Sequence, residues 1–371
     1  MKKEFSVLEL ACVVKELQAL VGARINKVLQ YSNKWLAFEC FKTGVGRVFI
    51  NICRPGLLWF GQTKSSSGDF GFHKNLSKQI DGTKIVSISQ IGSERIVKIC
   101  LSTAEKKFDL FIELFNKGEV SLCDSNGKIL CLWETQIWKD RTLKVGTIYS
   151  LPKKLINIFE MSEDEFNLSL KVIVETVSKT LATELGIGGI YANELCLISG
   201  IDKNKNNLST QELRVLYANL HYFFERKIDA KVVYEKESKD VRDIVPYSLK
   251  NYESFKQSAF ASYCASIDNI LSSINASDQS SNALSQFELK KRKLLNIIEV
   301  QKLHLSAINK TAQDEQRKGE LIYENYQKFK EILEKISSAR EKFSFREIKA
   351  KSKELGIKDF DDKTGEITVE V

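Results

Sequence analysis

The chain has 371 residues, 43% hydrophobic and 28% charged, with 56 Lys and Arg against 48 Asp and Glu for a formal charge of +8. That length sets an expectation of two or three domains, and the apolar share excludes a wholly disordered chain. Three prolines and nineteen glycines exclude collagen-like or proline-rich character, and no uncharged apolar run approaches the roughly 20 residues of a membrane span.

The opening Met1-Lys2-Lys3-Glu4 leads into a helical pattern broken by Glu9, Lys15 and Glu16, unlike a signal-peptide core, so a cytoplasmic protein is expected. Residues 5–21 place Leu8, Cys12, Leu17 and Leu20 at helical spacing, with Gly22 as a stop signal. Strand patterns follow at 24–31, 35–41, 46–52 and 56–60, then a Ser/Gly loop at 64–69 and a helix at 70–80. A second strand series covers 84–90, 95–102, 108–114, 120–123 and 129–133. Asp124-Ser125-Asn126-Gly127 marks a hairpin, because Asn-Gly accepts the positive φ of a tight turn. Residues 1–155 therefore read as a mixed α/β domain.

From about residue 160 to 280 the period is helical. Gly186-Ile187-Gly188-Gly189 sits between two helical segments and resembles a helix–hairpin–helix, whose exposed amides can approach a phosphate backbone. The alternative is that these glycines only let two helices pack closely. Residues 231–249 read as a short strand-bearing excursion.

The stretch 284–342 reads as the first helix of a coiled-coil arm, and 343–371 as the start of a domain at its tip. Ile322, Tyr326, Phe329, Leu333 and Ile336 follow the 4-3-4-3 spacing of a seam. A helix of that length cannot cover its own stripe, so it needs a returning partner. From 287 to 353 there are 17 Lys and Arg against 10 Asp and Glu, a balance of +7 in a chain of +8. Such a basic arm fits phosphate contact, with Lys290, Lys291, Arg292, Lys293, Arg317 and Lys318 as candidate contacts. A solvated helix face of mixed sign is the competing explanation.

No catalytic constellation stands out: there is no Walker A loop, no G-x-S-x-G and no H-E-x-x-H. The eight cysteines form no C-x-x-C pair and only three histidines are present, so neither a metal site nor a cofactor is expected. A binding protein is favoured over an enzyme.

Several segments together resemble the NFACT family, in its archaeal-like branch. They are Ser6-Val-Leu-Glu-Leu10, Leu20 to Gln30, Gln90 to Val97, Glu113 to Asp124, Trp138-Lys-Asp-Arg141 and Lys318 to Tyr326. The resemblance runs along almost the whole chain and lacks the family's C-terminal part. It implies an α+β multidomain protein: a mixed α/β N-terminal domain, a helix–hairpin–helix domain and a long coiled-coil arm. It further implies ribosome-associated quality control, in which the protein binds an obstructed large ribosomal subunit, through its rRNA and proteins, and holds tRNA there. Recruiting tRNA for an untemplated C-terminal tail belongs to the same implication, with the ribosome making the peptide bond.

The family's Asp-Arg pair matches Glu94-Arg95, a second family Asp matches Glu9, and the family's Gly-Asn matches Gly118-Glu119. These five are the expected tRNA-binding residues, with Gly186, Gly188 and Gly189 against a nucleic-acid backbone. The lengthened acids at 9 and 94 put tailing in question. A separate polypeptide carrying the returning helix and basic domain is a further expected partner; no membrane is. Two alternatives stand beside this reading. A DNA-glycosylase-like enzyme of the formamidopyrimidine type would need a proline after Met1 and a four-cysteine zinc finger, where this chain has Lys2 and no such set. A structural coiled-coil scaffold is the other.

Overall fold

Ser6 starts the first helix, α1 (Val7–Leu17), through a capping box: its hydroxyl accepts from the Glu9 N–H while the Glu9 carboxylate accepts from the Ser6 N–H. The helix expected over 5–21 is shorter, because it tightens into a 3-10 turn, Gln18–Leu20, before Gly22 turns the chain at φ +89°. The computed structural model describes residues 2–62, 68, 70–152, 157–171, 173, 175–238, 240–350, 357–361, 364 and 366–369, with side chains at 273–290, 292–293, 345–346, 350 and 360 set aside. Most of the expected Ser/Gly loop at 64–69 lies outside the described residues.

The strands follow the alternation closely: β1 (Arg24–Ser32), β2 (Trp35–Lys42), β3 (Gly46–Cys53), β4 (Leu57–Gly61), then α2 (Gly71–Ile80). After it come β5 (Lys84–Gln90), β6 (Ile96–Ser102), β7 (Lys107–Glu113), β8 (Glu119–Asp124) and β9 (Ile129–Leu132). They form one nine-stranded sheet in the order β4-β3-β2-β1-β5-β6-β7-β8-β9. Every pairing is antiparallel. The connections within each series are hairpins, too short for the crossover a parallel pair needs. Two meanders result, joined where Arg24 of β1 faces Lys84 of β5. Helix α1 packs on β4 and β5, and α2 on β1 and β9. A two-stranded ribbon, β10 (Gln136–Ile137) with β11 (Thr142–Leu143), follows the sheet.

The helical segment contains α3 (Glu163–Ser169), α4 (Val177–Thr183), α5 (Gly189–Ile198) and α6 (Thr210–Glu225). A small sheet of β12 (Lys231–Tyr234), β13 (Val241–Val245) and β14 (Gln257–Ala259) comes next. One hydrophobic core runs from Phe5 and Leu17 through Phe38 and Leu110 to Leu181, Phe223 and Ile267. The α/β and helical segments therefore share a core and form one compact unit, Met1–Asp278. Helix α7 (Tyr263–Glu324) begins inside it: the Glu16 carboxylate accepts from the Tyr263 and Cys264 N–H groups at 2.7 and 2.8 Å. The expected arm boundary at 280–284 thus falls within a helix.

The second unit, Gln279–Val371, holds the rest of α7, then α8 (Tyr326–Arg340), α9 (Phe345–Ala350), β15 (Asp359–Phe360) and β16 (Ile367–Thr368). Asn325 interrupts the helix, with φ −110° and ψ 22°. Of the expected seam, Ile322, Tyr326 and Leu333 stay 53, 60 and 57% exposed, while α8 buries Ile332 against Ile348 and Ile357. Among the described residues no helix is long and apolar enough to cross a membrane.

Candidate functional site

A cleft of about 880 Å³ opens in the first unit where the N-terminal segment, the β5–β6 turn, the α4–α5 turn and β13 meet. Its floor is a buried ionic network. The Lys2 Nζ donates to Glu9 Oε1 at 2.6 Å, Asp243 Oδ1 at 2.7 Å and the Ile244 carbonyl at 2.9 Å, which uses all three ammonium protons. Tyr191 donates its hydroxyl proton to Glu9 Oε1 at 2.8 Å, and Tyr252 does the same to Asp243 Oδ2 at 2.9 Å. Burial by itself would lower the Lys2 pKa, yet the Glu9 and Asp243 charges outweigh it and hold it above the ordinary value. Burial raises the Glu9 carboxyl, with Lys2 opposing.

Arg95 lies at the rim, just before β6. Its guanidinium donates to Glu4 Oε2 at 2.7 Å and reaches the Phe5 carbonyl at 3.4 Å. The sequence invites a mutual Glu94–Arg95 ion pair; the fold gives Arg95 to Glu4 instead. That leaves the half-buried Glu94 carboxylate without a hydrogen-bond partner among the described residues, and burial raises its pKa against the pull of Arg95. An acceptor and a forked donor thus stand side by side at one edge of the cleft.

The α4–α5 turn forms the opposite wall. Gly186 and Gly188 sit at φ +70° and +84°, and a Cβ on Gly188 would lie 3.3 Å from the Ser6 Cβ. These glycines bring the turn against the start of α1, which is the close-packing role. Leu185 and Ile187 anchor the turn in the core, while Gly186, Gly188 and Gly189 line the cleft. The lining carries six carboxylates against four cationic side chains, so it is not a simple phosphate-binding surface.

Glu9, Glu94, Arg95 and the three glycines are therefore brought together from segments up to 180 positions apart. Glu9 is 2% exposed and fully engaged with Lys2, Tyr191 and Ser6, so it shapes the floor rather than reaching a ligand. Gly118 and Glu119 do not line the cleft. Glu119 is buried behind it, accepting from the Trp133 and Glu134 N–H groups, from Gln136 Nε2 at 2.9 Å and from Arg54 at 3.3 Å. On α7, Lys291 is exposed, and Arg317 and Lys318 are 62 and 66% exposed beside Glu320 and Glu315. The side chains of Lys290, Arg292 and Lys293 lie outside the described residues. Glu4, Tyr191 and Asp243 carry no signal in the sequence as site residues; no local pattern pairs Glu4 with Arg95, Tyr191 with Glu9 or Asp243 with Lys2 across 91, 182 and 241 positions.

A family model for NFACT N-terminal and middle domains matches residues 6–371. The archaeal Rqc2 homolog aRqcH of Methanocaldococcus jannaschii is 26% identical over 367 residues, covering 94% of this chain and 54% of its own length. The human ribosome quality control complex subunit NEMF is 23% identical over 381 residues, covering 91% of this chain and 34% of its own. The chain thus spans about half the length of the archaeal relative and about a third of the human one. The structure of the N-terminal part of the fibronectin/fibrinogen-binding protein from Streptococcus suis superposes with a TM-score of 0.59 at 20% identity, over 72% of this chain and 99% of that one. The Staphylococcus aureus fibrinogen binding protein also gives 0.59, at 19% identity over 71% and 98%.

Proposed function

This chain belongs to the NFACT family, and from that membership we propose that it acts in ribosome-associated quality control, holding tRNA on an obstructed large ribosomal subunit. The relatives bearing quality-control names support the process. The observation that supports the site is the juxtaposition of the Glu94 carboxylate, with no hydrogen-bond partner among the described residues, and the Arg95 guanidinium at the rim of an 880 Å³ cleft. A carboxylate accepts from base amino and imino groups, and an arginine forks onto phosphate or a base edge, so the pair suits directional recognition of RNA.

Two sets of contacts follow from the charges. The cleft, with more carboxylates than cations, reads groups one at a time. The basic residues of α7, Lys290 to Lys293 with Arg317 and Lys318, supply the non-specific attraction to ribosomal RNA. The protein positions tRNA and the ribosome performs any peptide-bond formation, which places it in the cytoplasm. The open seam at Ile322, Tyr326 and Leu333 takes a second helix, on the same chain or on a separate polypeptide. Retention of tRNA on purified obstructed large subunits, compared between the wild type and Arg95→Ala, tests the reading.

A further inference from the structure

Gly118 and Glu119 stand away from the cleft, yet they bear on it through one intervening turn. Gly118 has φ +72°, and a Cβ there would sit 2.7 Å from the Pro55 carbonyl oxygen and 3.1 Å from Arg54 Cγ. Only glycine lets β8 start this close to the 54–56 turn. Glu119, with its side chain 1% exposed, then clamps the same turn from below: its Oε2 lies 3.3 Å from Arg54 Nη2. Arg54 is further held over the face of Trp133, its Cζ 4.2 Å from the ring centre. The far side of the turn meets the N-terminal segment. A Cβ on Gly56 would lie 2.8 Å from Glu4 Cγ and 3.0 Å from Glu4 Cα, and the Phe5 N–H donates to the Gly56 carbonyl at 3.0 Å. Glu4 Oε2 and the Phe5 carbonyl are the two acceptors that orient Arg95.

We propose that Gly118 and Glu119 are positioning residues for Arg95, acting through the Arg54-Pro55-Gly56 turn and the Glu4-Phe5 segment that this turn holds in place. The proposal rests on the reading of the cleft as a tRNA site. It assigns to this pair an indirect role in place of direct RNA contact. A Cβ at 118 forces the turn toward Glu4, where Gly56 leaves no slack, and the Glu4 carboxylate moves out of line with the guanidinium. Packed interiors transmit such a shift because they have little free volume to absorb it.

The test is a double-mutant cycle on the full chain, reading dissociation of unfractionated tRNA from obstructed large subunits and, in parallel, the Tm of the free protein. Arg95→Ala should weaken retention about tenfold or more, the range for a lost charged hydrogen bond. Gly118→Ala should weaken it by a fraction of that, about fivefold, because it misaligns the same contact without deleting it. In the Arg95→Ala background Gly118→Ala should add less than about twofold, while its Tm penalty is the same in both backgrounds. Should Gly118→Ala fail to fold, Glu119→Gln serves: it keeps an acceptor for the Trp133 and Glu134 amides and removes the charge facing Arg54. Equal losses with and without Arg95, or no loss from either variant, would overturn the positioning role alone. An Arg95→Ala protein that retains tRNA normally would overturn the cleft reading and the positioning role with it.

Discussion

Replacing Lys2 by Met tests the buried network that forms the cleft floor. The Lys2 side chain is 7% exposed and the side chains of its two carboxylate partners, Glu9 and Asp243, are 3 and 8% exposed. Methionine fills the space of the stem but leaves two buried carboxylates facing each other with no cation. Breaking a buried pair in this way costs about 3–5 kcal/mol, since the uncompensated charge cannot regain its water. For a folded unit of this size each kcal/mol moves Tm by roughly 2–4 °C, so a fall on the order of 10 °C is expected. The loss should also depend on pH. Burial raises the Glu9 carboxyl and Lys2 opposes that rise, so without Lys2 the folded variant binds a proton at Glu9 more tightly than the unfolded chain. Its deficit against wild type is therefore smallest in mild acid and grows as pH rises through the raised Glu9 value. Melting curves of both proteins at pH 5 and pH 8 read this directly. A deficit under about 1 kcal/mol, the size of an exposed ion pair, would refute the argument. So would a deficit equal at the two pH values.

Glu119 gives a second pH signature: burial pushes it up to about 7 from 4.5. Its stabilising contribution is then complete below about pH 4.5 and is lost as pH rises through 7. The stability of wild type relative to Glu119→Gln should fall by at most about 3 kcal/mol across that window; denaturant titrations showing a flat difference would contradict it. Charge reversal at Arg317 and Lys318 should weaken large-subunit binding and reduce the slope of log affinity against log salt by about 2, one per lost phosphate contact. An unchanged slope removes these residues from the interface. Leu333→Glu should abolish helix association at the open seam, where covering each large apolar side chain is worth about 1.5–3 kcal/mol. Light scattering that finds the wild type strictly monomeric with a stable helical arm, and no helical partner captured, would contradict the seam.

The sheet was legible in the sequence because its signals are local. Alternation between Ile96 and Ser102, and Asn126-Gly127 at a hairpin, each act within a few residues. The antiparallel order of the sheet within this mixed α/β unit has an equally local cause, the shortness of each connection. Part of the cleft was legible too: Glu94, Arg95 and the glycine turn came from motif resemblance, and the fold brings them to one place. What escaped was the partner of each group. Nothing near Arg95 in the chain says that Glu4 holds it, and nothing near Glu9 says that Tyr191 donates to it or that Asp243 shares its Lys2 partner. On α8, Ile332 and Leu333 are equally apolar, and the packing of Ile348 and Ile357 buries the first while the second stays exposed.

The most direct test of the central claim is the amount of tRNA that co-sediments with purified obstructed large subunits in the presence of wild type, Arg95→Ala and Glu94→Ala. Arg95 is 29% exposed and its partner Glu4 45%, so its removal should leave Tm within a few degrees, as exposed pairs do. The account predicts that both variants still bind the subunit and retain about tenfold less tRNA, the effect of one lost charged contact in a cleft. Retention equal to wild type in both variants, or a loss matched by unfolding of the protein, would contradict it.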